Sequence, residues 1–206
     1  MGSSAEKVER KETARIEAFS DGVFAFAITL LVLYLKDPTT NGGGSLLQGL
    51  LDEWPAFFAL ATSFATILIM WVGHHEMFTS IRRIDRGFMF LNGVLLFFIV
   101  LTPFTTSLVA NHIASGDSRV AVAIYAGNFL LTSLTWGLLG RHAFRKKLLL
   151  ESATAEAFAR SQIRGAYIGL TFYALAFALA FLSGIASVVL LLMVAVYYAV
   201  GPTSQR

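Results

Sequence analysis

From Gly165 to Val200 the chain runs for 36 residues without a charged side chain. An uncharged block of that length has to face lipid, because a soluble helix or strand would break it with polar residues on its wet side. As one helix it would reach ~54 Å at 1.5 Å per residue, too long for a single bilayer crossing. The run therefore predicts two short spans that turn near Ser183 and Gly184. Similar blocks predict further spans over about 16–35, 54–78, 87–109 and 120–139, and with 165–182 and 185–200 these make six. The predicted fold is an all-α integral membrane protein, one domain over residues 1–206. Composition agrees, since 56% hydrophobic and 14% charged residues exceed the apolar share of ordinary soluble domains.

The connectors carry the charge. The first span is expected to stop at Lys36, Asp37 and Pro38, and a glycine-rich linker follows at 41–45. That linker lacks the Gly-Lys-Ser/Thr ending of a phosphate-binding loop. Arg82, Arg83, Asp85 and Arg86 fill the short turn after the second span, which makes spans two and three antiparallel neighbours. Pro103, inside span three, is expected to kink the helix or free a carbonyl for another partner. The stretch from Leu148 to Arg164 reads as a cytoplasmic helix or loop lying partly at the interface.

Orientation follows from the basic residues. With the N-terminus inside, all of the 16 Lys and Arg except Lys36 and Arg119 fall on the cytoplasmic side. That bias predicts both termini in the cytoplasm. It also accounts for a sequence pI near 9.3 without a nucleic-acid partner. The N-terminal segment mixes glutamates with lysines and arginines and does not resemble a signal peptide, so the first apolar segment is expected to remain as a span.

Several chemistries are excluded by residue type. With Cys at 0, there are no disulfides, thiolate metal sites or cysteine nucleophiles. His74-His75-Glu76 lacks the second histidine four residues on that a zinc-binding helix supplies. No nucleophile elbow, Rossmann glycine pattern or arginine ladder is present, and the Thr-Val-Gly-Tyr-Gly filter of ordinary potassium channels is missing. No cofactor is expected.

The informative segment runs from Arg15 to Leu33, because it carries Ser20 and Asp21 into a membrane-crossing helix. At about 100° per residue, Gly22, Phe26, Thr29, Leu30 and Leu33 share one face, whereas Asp21 points about 140° away from Phe26. Periodicity alone favours helix packing or lipid contact for the apolar face. The Ser20 and Asp21 face needs donors, since an unpaired carboxylate in a membrane costs about 2.5 to 3.5 kcal/mol even on lenient scales. Candidates are Arg15, Trp71, His74, His75 and Asn92, and a structural polar cluster is a better reading of them than a catalytic or metal site.

The pattern Arg15-x-x-x-Phe19-Ser20-Asp21 before an aliphatic helix resembles the signature of the transmembrane protein 175 family, the endosomal and lysosomal potassium channels and their bacterial relatives. Trp71, His74, His75, Arg82 or Arg83, Asp85, Asn92 and the Pro103-Phe104 pair are similar to that family's pattern in spans two and three. The resemblance implies a potassium-permeable channel, not an enzyme, in the cell membrane, the inner membrane if the source is bacterial. It implies four copies around a pore lined by the first helix, with potassium ions and the lipid bilayer as partners. By the same resemblance Phe26, Leu30 and Leu33 form a hydrophobic gate, with Phe26 where isoleucine is usual, and Thr29 contributes to ion selectivity. Arg15, Phe19, Ser20, Asp21, Trp71, His74 and Asn92 would then hold the helices in register without touching the ion. No metal beyond transient potassium is expected. A competing reading is a secondary transporter or proton-coupled exchanger that loads a proton on Asp21 and His74.

Overall fold

A computed structural model describes residues 4–35, 45–149 and 153–200. The expected stop at Lys36, Asp37 and Pro38 and the linker positions 41–44 lie outside the described residues, as does Arg206. The helices are α1 (Ser4–Leu30), α2 (Leu46–Asp52), α3 (Trp54–Ser80), α4 (Arg86–His112), α5 (Ser118–Arg145), α6 (Ala153–Ala180) and α7 (Gly184–Val200). A 3-10 turn over Leu31–Tyr34 ends α1. Among the described residues, 5 segments are long and apolar enough to cross a membrane: Lys11–Tyr34, Trp54–Ser80, Arg86–His112, Ser118–Arg145 and Arg160–Ala180. The apolar helix α7 is shorter.

Two boundaries and one extra helix differ from the sequence expectation. The first helix begins at Ser4, about three turns before residue 16, because the charged N-terminal segment is itself helical. The stretch after α5 is not a separate interfacial helix: α6 runs unbroken from Ala153 into the apolar block. No proline or glycine pair interrupts it there, and Arg160 and Arg164 are exposed at its polar end, so the hydrogen-bond ladder continues through the charges. The unanticipated α2 is capped by Ser45, whose hydroxyl accepts from the Gln48 amide at 3.2 Å. The turn between α6 and α7 falls at Phe181–Ser183, next to the expected Ser183 and Gly184.

Packing follows small residues and apolar stripes. At Gly169 a Cβ would stand 2.9 Å from the Tyr198 hydroxyl and 3.1 Å from the Ser133 hydroxyl, so this glycine lets α5, α6 and α7 meet. Tyr125, Phe129, Tyr173, Ala176, Val188 and Leu191 fill the space between those helices. At the other end Met77, Phe78, Phe88, Leu95, Leu139 and Leu148 join α3, α4 and α5. The α5 terminus is closed by a left-handed residue, Lys147 at φ 52°. The Leu148 amide donates to Ala143 O at 3.0 Å and the Lys147 amide to Phe144 O at 3.2 Å, the double closure of a Schellman end. Leu148 is thereby turned back to accept from the Arg82 amide at 2.8 Å, which ties the α3–α4 loop to the end of α5.

Pro103 leaves α4 continuous from Arg86 to His112. The carbonyl that its missing amide leaves without an intrahelical donor is Ile99 O; one residue earlier Asn128 of α5 reaches in, its side-chain amide donating to Phe98 O at 3.2 Å and to the Thr102 hydroxyl at 3.1 Å.

Among the described residues, helix α1 packs on α3 and α4. Phe24, Ala27 and Leu31 bury against Ile67, Leu96 and Ile99. Only 22% of its most apolar window is buried, against 61% for α5, so α1 forms one rim of the subunit.

Candidate functional site

Two antiparallel rungs join α1 to α3. The Trp71 indole N–H donates to the Asp21 carboxylate at 2.9 Å. One turn away His75 Nδ1 meets the Glu17 carboxylate at 3.0 Å. Glu17 and Asp21 are four residues apart, as are Trp71 and His75, so each pair presents on one side of its helix. The Trp71 and His75 rings stack at 6.2 Å between centroids, which holds both donors toward α1.

A second connection runs through the interior. Asn92 of α4 donates from Nδ2 to the Ser20 hydroxyl at 2.9 Å, and Ser20 donates to Ile16 O at 2.9 Å. The other end of the amide, Oδ1, lies 3.0 Å from His74 Nε2. Asn92 thus fixes the histidine: an amide oxygen only accepts, so Nε2 carries the proton and Nδ1 is the bare nitrogen. That nitrogen is the one buried atom of the ring without a partner. Ser20, His74 and Asn92 are all fully enclosed, and the imidazole sits between Phe24 at 5.3 Å and Phe78 at 4.5 Å. Asp21 and His74 therefore go to different partners.

Two expected members stand outside this network. Arg15 is exposed, and Phe19 is 67% exposed, because both lie on the side of α1 turned away from α3 and α4. Trp71 supplies the donor to Asp21 that Arg15 was expected to compete for, and His75 pairs with Glu17 rather than Asp21.

The apolar face of α1 is open. Gly22, Phe26, Thr29 and Leu33 are exposed, with Phe26 at 64% and Leu33 at 72%, while Leu30 is half-buried beside them. The Thr29 hydroxyl donates to Phe26 O at 2.8 Å. Its proton is thus held by the helix, and its oxygen lone pairs point outward, the arrangement that suits a cation ligand.

Three polar contacts had no counterpart in the sequence reading. The first is Glu17 with His75; the constant register, 17 with 75 and 21 with 71, is a signal that an antiparallel pairing of the two helices contains. The second is Asp85, which caps α4 through the Phe88 amide at 2.7 Å and meets His142 Nε2 at 2.8 Å. Burial by itself favours the neutral acid here. The Phe88 amide, the His142 imidazole and the Lys146 ammonium outweigh it and hold Asp85 below the usual carboxylate range. The third is a buried hydroxyl cluster, with Ser63 at 2.7 Å from Thr106 and 2.8 Å from the Tyr125 hydroxyl. Single hydroxyls on three apolar helices leave no pattern in the sequence. Among the described residues no group of three or more His, Asp or Glu could hold a metal ion.

Residues 15–103, which contain both rungs and the Asn92 connection, match the family described as endosomal/lysosomal potassium channel TMEM175. The chain is similar to a potassium channel of Chamaesiphon minutus, 41% identical over 199 residues, covering 94% of this chain and 97% of that protein. It is also similar to a potassium channel of Streptomyces collinus, 38% identical, with 91% of each covered. The crystal structure of a lysosomal potassium-selective channel TMEM175 homolog from Chamaesiphon minutus superposes with a TM-score of 0.83 over 92% of this chain and 97% of that one, at 41% identity. The all-α membrane-channel fold and the extent of identity together mean that this chain belongs to the TMEM175 family.

Proposed function

We propose that the chain is one subunit of a potassium-permeable cation channel. Six helices, α7 included, cross the membrane with both termini in the cytoplasm, and four copies surround a pore lined by α1. In a bacterial cell the host membrane is the inner one. The observation that carries this reading is the division of α1 into a tied side and an open side. Ser20 and Asp21 are bonded to α4 and α3, whereas Gly22, Phe26, Thr29 and Leu33 are exposed. One chain has too few helices to enclose a path with α1 alone, and symmetric repetition about that open side supplies the remaining walls.

In this arrangement Phe26 and Leu33 narrow the path, Leu30 flanks it, and an apolar ring of this kind closes by excluding water. Thr29 offers one oxygen per subunit to a cation that has shed part of its hydration. The network of Ser20, Asp21, Trp71, His74 and Asn92 sets the rotation of α1 and does not touch the ion. The Trp71 bond to Asp21 supports that positioning role over a proton-loading one, because an indole does not exchange its proton in the physiological range.

Planar-bilayer recording under a potassium gradient tests the proposal. Wild type is expected to pass current that reverses at the potassium equilibrium potential, with conductance raised in Phe26→Ala and potassium preference reduced in Thr29→Val. Unchanged conductance in both Phe26→Ala and Leu30→Ala removes α1 from the pore. Asp21→Asn separates the transporter reading: a channel keeps its reversal potential and loses protein yield, whereas an exchanger loses coupled flux.

A further inference from the structure

A groove of 380 Å³ lies between α3, α5, α6 and α7, away from the open face of α1. Its walls are mainly apolar, from Ile69 and Val72 on α3 to Tyr173 on α6 and Ala195 on α7. Thr66, Ser133 and Tyr198 add hydroxyls along the walls, and the one charged lining residue stands at one end. There Glu76, four residues before the end of α3, faces Ser161 and Gln162 at the charged start of α6. Gln162 Nε2 stands 3.8 Å from where a Gly73 Cβ would be, so this amide hangs over α3 one turn from Glu76. Glu76 is half-buried, and among the described residues no side chain pairs with its carboxylate. A carboxylate in that position calls for a cation, and the apolar walls beyond it call for a hydrocarbon chain.

We propose that this groove holds a phospholipid of the cytoplasmic leaflet whose headgroup bears an ammonium, with one acyl chain along α6 and the ammonium at Glu76. Gln162 is placed to donate to the headgroup phosphate, and Trp136 lines the groove between head and chain, where indole rings favour the interface. Charge decides the headgroup. An acidic lipid brings its net negative charge to Glu76, whereas an ammonium with free N–H groups can both pair with the carboxylate and hydrogen-bond to it. A choline headgroup has the charge but no N–H to donate. Gly165 borders the same space, and a Cβ built on it meets nothing within 4 Å, so a larger side chain there fills the groove instead of clashing with a wall.

Native mass spectrometry of the purified, delipidated protein, exposed to an equimolar mixture of phosphatidylethanolamine, phosphatidylcholine and phosphatidylglycerol, tests this. Wild type is expected to retain one phosphatidylethanolamine per subunit, preferred over the other two by about fivefold, the effect of one partly exposed ion pair. Glu76→Gln should keep a bound lipid and lose the preference, and Gly165→Leu should lose the lipid. Retention of all three lipids equally by wild type overturns the proposal, as does a preference for phosphatidylglycerol. A wild type that retains none, with a neighbouring copy filling the groove, overturns it too. Should Gly165→Leu fail to fold, the headgroup preference of Glu76→Gln against wild type decides alone.

Discussion

The Ser20–Asn92–His74 connection makes a quantitative claim about how α1 is held. Asn92→Ala removes bonds of 2.9 and 3.0 Å and leaves the His74 N–H enclosed without an acceptor. Interhelical hydrogen bonds in membranes measure about 0.6 kcal/mol on average and about 1.7 at most. Orphaning a buried donor adds roughly 1–3 kcal/mol, so the total loss is about 2–4 kcal/mol. Ser20→Ala removes one of those bonds and its own link to Ile16 O, and leaves the Asn92 Nδ2 donor enclosed without an acceptor, a loss of about 2–4 kcal/mol. The two substitutions share one bond, and the orphaned Asn92 donor of Ser20→Ala is gone from the double variant, which should therefore be less destabilised than the sum by about 2–4 kcal/mol. Denaturant unfolding of the four proteins in mixed micelles, at one protein concentration and followed by helical circular dichroism, gives this coupling directly. Losses that add within about 0.3 kcal/mol would refute the direct bond and with it the assignment of the His74 tautomer.

Three further expectations concern the α3–α4 loop and the end of α5. Lys147→Gly should raise stability by about 1 kcal/mol, since glycine occupies the φ of 52° without strain, while Lys146→Gly at φ −87° should lower it; thermal melts of both compare them. Gly87→Ala puts a Cβ 2.6 Å from His142 Cε1 and should cost about 1–3 kcal/mol by displacing the imidazole from Asp85, a loss visible in the same melts. Asp85 is held below its ordinary value, so its contribution is present above the unfolded carboxylate value of about 3.9 and is lost as pH falls through the folded one. A stability curve taken below pH ~4 should therefore fall more steeply in wild type than in Asp85→Asn.

Much of the fold was legible from the sequence because lipid burial depends on local composition. The uncharged block from Gly165 onward announced a turn at Ser183 and Gly184, and the structure turns within Phe181–Ser183. The continuity of α6 was not legible, because Arg160 and Arg164 read as the edge of a span although a helix carries exposed charges through its solvated end. The candidate site divides in the same way. That Ser20 and Asp21 share a side of α1 opposite Phe26 follows from 100° steps alone. Which donors reach them does not: Arg15, adjacent in sequence, is turned away, and Trp71, fifty residues on, makes the bond.

By itself the sequence determined which segments are long and apolar, the direction that the basic residues imply, and the existence of one greasy, threonine-bearing side on the first helix. Only the tertiary structure decided that α1 sits at the rim against α3 and α4, that Asn92 links Ser20 to His74, and that four helices leave a groove beneath Glu76. The reason is physical. Hydrophobic transfer sums over the residues of one segment, so it is written locally. A hydrogen bond depends on lateral order, register and rotation between segments, and a slip of one residue, about 100° of helix, replaces every partner.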